Sequence, residues 1–145
     1  MIALACDHGG FGLMQEVKAF LDAEDFKYKD FGTFDTASCD YPVFAIPAAR
    51  AVASGECDRG IFICTTGIGM SMAANKIPGI RAALCTDCYM AEMTRRHNNA
   101  NVLTLGAKVS DASLSLKIAS VFLSTDFEGG KHALRIGMFD ELDEK

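Results

Sequence analysis

Short, wholly apolar runs alternate along this chain with longer stretches whose apolar residues recur every three or four positions. The apolar runs predict strands at 2–6, 26–31, 60–64, 81–85 and 102–105. The helical intervals predict helices near 12–23, 43–54, 70–76, 87–96, 111–123 and 131–142. Leu114, Ile118, Val121 and Phe122 mark the buried stripe of the fifth helix. Leu134, Met138 and Leu142 form a stripe on the last one, which docks either on its own core or on a neighbour's. Strict alternation of strand and helix predicts an α/β fold, a three-layer αβα sandwich around a five-stranded parallel sheet. In such Rossmann-like sheets, ligands bind beyond the carboxyl ends of the strands.

The polar residues gather where that rule puts a site. Asp7-His8-Gly9-Gly10 follows the first strand, residues 64–69 the third, Asp87 the fourth, and Gly106 and Lys108 the fifth. Arg95-Arg96-His97-Asn98-Asn99 closes a helix instead, which sets it toward the other end of the sheet, within reach of a second subunit. The chain of 145 residues fits one domain, residues 1–145, with no linker or repeat. No run approaches the ~20 apolar residues of a membrane span, and the first strand lacks the basic flank of a signal peptide. A net charge of −5 argues against a nucleic-acid partner, so an anionic substrate needs a local basic pocket. The six cysteines are irregularly spaced and read as free thiols in a reducing cytoplasm. Cys85 and Cys88 form a CxxC pair with no second pair to complete a zinc site, and they read as ordinary thiols.

The richest segment is Cys64-Thr65-Thr66-Gly67-Ile68-Gly69. It sets a thiol at a strand end, then two hydroxyls, then two glycines that open a helix. The glycines let the backbone turn sharply and approach a ligand. The N–H groups of the helix start, with the dipole behind them, suit a phosphate or an oxyanion formed during a reaction. A dinucleotide fingerprint needs a small residue at position 72, where Met72 stands. A cysteine phosphatase loop needs an arginine at position 70, where Met70 stands. The plainer alternative is a strand–helix junction that uses glycine for packing alone. Other groups also read two ways. Asp7 and His8 face a ligand or cap the first helix. His97 moves protons or is a favourable cation at a helix end. Lys131 and Arg135, one turn apart after Gly129-Gly130, clamp a phosphate or are a solvated face.

Together these segments resemble one family, the type B ribose-5-phosphate isomerases and their galactose- and allose-6-phosphate relatives. The resemblance spans essentially the whole chain. It rests on residues 6–11, Asp40-Tyr41-Pro42, residues 64–76, residues 79–82, residues 97–102 and Glu128-Gly129-Gly130-Lys131-His132, all in order. It implies an aldose–ketose isomerase that needs no metal and no organic cofactor and acts on a phosphorylated sugar. Cys64 matches the base that moves a proton between C2 and C1. The carboxylate that some members place after the Gly-x-Gly is here Met70. Backbone N–H groups of Thr65, Thr66, Gly67, Ile68 and Gly69 match the enediolate cradle, and the Thr66 hydroxyl matches its proton shuttle. His97 matches the ring-opening acid, with Asp7 taking the C1 hydroxyl proton. His97 and Asn98 reach the site from a neighbouring subunit, which implies a homo-oligomer, dimer or tetramer, with a shared site. His8, Lys131 and Arg135 match phosphate contacts, and Lys108 matches a further basic contact. Lysine stands at 108 and 131 where the family pattern has arginine; the charge stays and the bidentate fork is lost. Ribose 5-phosphate is the leading substrate, with allose or galactose 6-phosphate as the alternative. A sensor that binds without turnover needs none of Cys64, Thr66 and His97.

Overall fold

The three most deeply buried strands form the middle of the sheet, and the two shorter ones form its edges. A computed structural model describes residues 1–144. The strands are β1 (Ile2–Cys6), β2 (Tyr28–Asp30), β3 (Arg59–Cys64), β4 (Ala82–Leu84) and β5 (Val102–Gly106). They pair in the order β2-β1-β3-β5-β4, parallel throughout. β1 and β5 are buried along their whole length and β3 along all but its first residue, as strands covered on both faces must be. The edge strands shrink to three residues each, against the six and five that the apolar pattern predicts. An edge strand has one partner, and only the residues opposite it are held in the ladder.

The helices are α1 (Phe11–Ala23), α2 (Tyr41–Ala53), α3 (Ile68–Asn75), α4 (Cys88–Asn98), α5 (Ala112–Ser124) and α6 (Lys131–Asp140), followed by a 3-10 turn at Glu141–Glu144. One face of the sheet, through Leu4, Ile61, Ile63, Leu103 and Leu105, packs on α1, α4 and α5. The other face carries Ala3, Ala5, Phe62 and Val102 and packs on α2 and α3. Ala45, Ala48, Ala49 and Ala51 make α2 small on its inner side, which seats it close to the alanines of β1. These two layers and the sheet are the expected sandwich. Helix α6 lies outside both cores, against α4. Among its residues Ile136 is buried, while Leu134 and Met138 are 67% and 64% exposed, as is Leu142 of the following turn at 67%. The predicted stripe therefore finds no cover in its own chain.

Helix starts differ from the sequence pattern for local reasons. Asp87 and Asp111 are caps rather than first helical residues; each carboxylate accepts an N–H three residues on, at 2.8 Å. α2 starts two residues early because Pro42 fits the first turn, where its missing N–H costs nothing. α3 starts at Ile68 because Gly67, at φ +80°, turns the chain straight into it. Parallel strands put the ends of β1, β3 and β5 on one edge of the sheet. α4 runs back against the strands, so His97 and Asn98 lie at the opposite edge, just before β5 begins.

Candidate active site

Three strand ends meet at the carboxyl edge. Cys6 pairs with Ile63, and Cys64 with Gly106, so the segments that leave β1, β3 and β5 emerge side by side. Ala107 and Lys108 donate their N–H groups to the carbonyls of Cys64 and Thr65, at 2.9 and 3.0 Å. Gly9 lies against the Thr65 hydroxyl, and Gly10 so near the Ile63 carbonyl that a Cβ there would stand 2.3 Å from its oxygen. These glycines are the condition for bringing Asp7 and His8 beside the Cys64 loop.

Within that loop the Cys64 thiol is 5% exposed and accepts the N–H of Gly67 at 3.1 Å. That N–H is aimed at the sulfur from the residue just before α3. Gly67 reaches this position only in the left-handed region; a Cβ there would also stand 2.6 Å from Leu84 and 2.9 Å from the Leu105 carbonyl carbon. The Ile68 N–H donates to the Thr66 hydroxyl at 3.3 Å. α3 has no side-chain cap at its start, so its remaining first-turn N–H groups face the opening of the loop. Asp7, 7% exposed, accepts the Gly10 N–H through Oδ1 at 3.0 Å. The capping reading and a site position coexist in this carboxylate. His8 is exposed, and its Nδ1 accepts the Cys39 N–H at 3.3 Å, which leaves Nε2 to carry the proton of the neutral ring. Lys108 is exposed on the same edge. Tyr41 is a residue the sequence reading left without a role: its ring covers Gly69, where a Cβ would stand 2.7 Å from it.

The other predicted residues form a second group. His97 and Asn98 end α4, and Lys131 and Arg135 open α6, which packs on α4. Strand β3 separates this group from Cys64. Six residues at ~3.3 Å each make that distance roughly 16–20 Å within one chain. Here too the structure adds partners. The His97 and His132 rings stack with centroids 4.1 Å apart, and Glu128 lies beside both and binds Arg96. The four-residue step from Glu128 to His132, inside a segment already singled out, was the available signal. Arg95 belongs to neither group. It is buried, its guanidinium donates to the carbonyls of Thr125 and Ala100 and to the Asn99 side chain, and it supports the core.

Among the described residues His97, Glu128 and His132 are the grouping with metal-type spacing. Their geometry opposes that use. Stacked rings only 11° from parallel point their nitrogen lone pairs side by side, not at one ion about 2 Å away, and Glu128 is already held by Arg96. Cys85 is an inert thiol: burial, helped by Asp87, pushes it up to about 12. Among the described residues no helix is long and apolar enough to cross a membrane.

Residues 2–139 match the family model described as Ribose/Galactose Isomerase. The chain is 42% identical over 144 residues to Ribose-5-phosphate isomerase B of Escherichia coli, covering 99% of this chain and 97% of that one. The solved structure of Clostridium thermocellum Ribose-5-Phosphate Isomerase B is 50% identical, with a TM-score of 0.97 over 99% of this chain and 97% of that one. Ribose-5-phosphate Isomerase B from Mycoplasma genitalium, solved with bound ribulose-5-phosphate, is 38% identical, with a TM-score of 0.94 over 99% and 96% of the two chains.

Proposed function

Because the chain belongs to the ribose/galactose isomerase family, we propose that it interconverts ribose 5-phosphate and ribulose 5-phosphate through a cis-enediolate, with Cys64 as the base. The observation that carries the mechanism is the buried Cys64 thiol under the Gly67 N–H, at the convergence of three strand ends. Position 70 is a buried methionine, so that position offers no carboxylate to take the C2 proton.

The reaction runs in two stages. The sugar phosphate binds with its anion against His8 and the partner's Lys131 and Arg135. The partner's His97 gives a proton to the ring oxygen while Asp7 takes the C1 hydroxyl proton, and the ring opens. The Cys64 thiolate then removes the C2 proton, leaving the electron pair in an enediolate. Loop N–H groups between Thr65 and Gly69 hold its oxygens, and the Thr66 hydroxyl carries a proton from O2 to O1. Cys64 returns its proton to C1, which completes the ketose. Asn98 and Lys108 orient the sugar hydroxyls. Cys64 ends as it began, while Asp7 gives its proton to water and the partner's His97 takes one from water before the next turnover.

This chemistry needs both groups of residues in one place. The separation of roughly 16–20 Å between them and the uncovered stripe of Leu134, Met138 and Leu142 support a symmetric homo-oligomer with composite sites. In it, residues 1–145 act as one domain whose C-terminal helix docks on the partner. The six free thiols fit a cytoplasmic setting. The test is turnover of ribose 5-phosphate by purified protein, beside allose and galactose 6-phosphates. Cys64→Ala should lose isomerisation and keep phosphate affinity, and iodoacetamide should inactivate the native protein unless substrate protects it. Near-native turnover by Cys64→Ala would exclude Cys64 as the base.

A further inference from the structure

The ring-opening step uses His97 and leaves unexplained the side chains that enclose it. Glu128 Oε2 lies 3.9 Å from His97 Nε2, and Oε1 lies 3.6 Å from His132 Nε2. The two rings stack face to face. Arg96 binds the same carboxylate through Nε and binds Glu92, one turn earlier on α4, at 2.8 Å. Glu128 is anchored from its own backbone as well, its N–H donating to the Arg96 carbonyl at 3.1 Å. A carboxylate fixed at both backbone and side chain is therefore held against two imidazoles on different helices.

Charge balance decides what such a cluster does. The charged groups around the pair are Glu128 of the connecting segment, Arg96 of α4, which Glu92 binds in turn, and Lys131 and Arg135 of α6. Glu128 is the carboxylate that lies within 4 Å of both rings, so it favours a proton on the pair. A second proton would set two cations against each other across the stack, next to Lys131 and Arg135.

We propose that Glu128 is the positioning residue for His97, orienting the ring and holding one proton on the stacked pair for delivery to the sugar ring oxygen. The inference rests on the ring-opening reading of His97. His132 supplies the second wall: burial, with His97, Lys131 and Arg135 nearby, holds it below its ordinary value, against the pull of Glu128.

The test follows kcat/KM for ribose 5-phosphate against pH, beside deuterium exchange at C1 of ribulose 5-phosphate in heavy water. The ketose is open-chain, so exchange needs Cys64 and no ring opening. Glu128→Gln should move the basic limb of isomerisation down by about one pH unit, and Glu128→Asp should restore part of it. Arg96→Gln, which removes a cation from the same carboxylate, should move the limb up. Exchange should stay within about twofold of native in all three, since a one-unit change in the ring-opening acid does not enter that step. Proton NMR of the imidazoles should show one ring, not both, gaining a proton between pH 8.5 and pH 5.5 in the native protein (a range centred on the usual titration of histidine). A limb that stays put in Glu128→Gln, moves the same way in Arg96→Gln, or accompanies protonation of both rings overturns the proposal. If instead His97→Asn loses exchange and isomerisation together, the ring-opening assignment fails, while the NMR titration still decides whether Glu128 governs the pair.

Discussion

Two inactive variants of this enzyme should restore each other. The perturbation is Cys64→Ala in one preparation and His97→Ala in the other. Within a chain the two residues sit at opposite edges of the sheet, roughly 16–20 Å apart by the length of β3, so neither protomer completes a site. In a two-fold dimer each site takes Cys64 from one chain and His97 from the other. After equal mixing and full exchange about half the dimers are mixed, and each mixed dimer holds one site with both residues intact and one with neither, so about one quarter of native activity should return. The assay is ribose 5-phosphate turnover over the course of exchange, with native mass spectrometry counting mixed dimers. Activity should rise in proportion to that species. Full exchange with no activity would refute the shared site and mean that each chain supplies its own His97.

Other consequences are open to measurement. Arg135→Ala should lower kcat/KM by roughly tenfold to a hundredfold, the value of a charge-assisted hydrogen bond of about 1.5–3 kcal/mol, and weaken inhibition by inorganic phosphate. Lys131→Arg should hold or tighten phosphate, because a fork replaces a point charge. Leu134→Glu and Met138→Glu on the uncovered face of α6 should shift sedimentation toward monomer and abolish turnover, since each removes about 1.5–3 kcal/mol of apolar burial and adds a charge. Stability should fall with alkaline pH. Burial, with Asp30 nearby, pushes Cys6 up to about 12, and burial with Asp87 does the same to Cys85. The unfolded thiols ionise from about pH 8.5, so between there and pH 12 the folded state holds more protons and each thiol withdraws up to about 1.4 kcal/mol per pH unit. Urea midpoints from pH 8 to 10 measure this, and Cys6→Ala should flatten the slope.

How much of this was legible in the sequence depended on how local each feature is. β1, β3 and β5 are apolar apart from Arg59 at the start of β3 and Thr104 within β5, because both of their faces are covered, so a run of hydrophobic residues found them within a residue. β2 and β4 were overextended because Phe26 and Cys85 are apolar for other reasons. Phe26 is partly exposed beyond the ladder, and Cys85 lies in the core after β4 has ended. The aspartates that cap α4 and α5 were visible as signals and were merely counted one residue inside the helix. The Cys64 loop could be read closely because strand end, turn and helix start are contiguous, and the left-handed glycine that directs an N–H at the sulfur stands within it.

The His97 cluster shows where contiguity ends. Arg96 and Glu128 are 32 residues apart, and they meet only because α6 leaves the sandwich and lies along α4. No spacing rule in the chain encodes that packing. Alternation did, however, carry one long-range consequence. A helix between two parallel strands must run back against them, so whatever ends α4 arrives at the edge opposite Cys64. The same topology that puts three strand ends together thus separates the thiol from the imidazole. On the proposed mechanism the second comes from another copy. The exposed apolar face of α6, directly beside Lys131 and Arg135, would then supply the contact that brings them there.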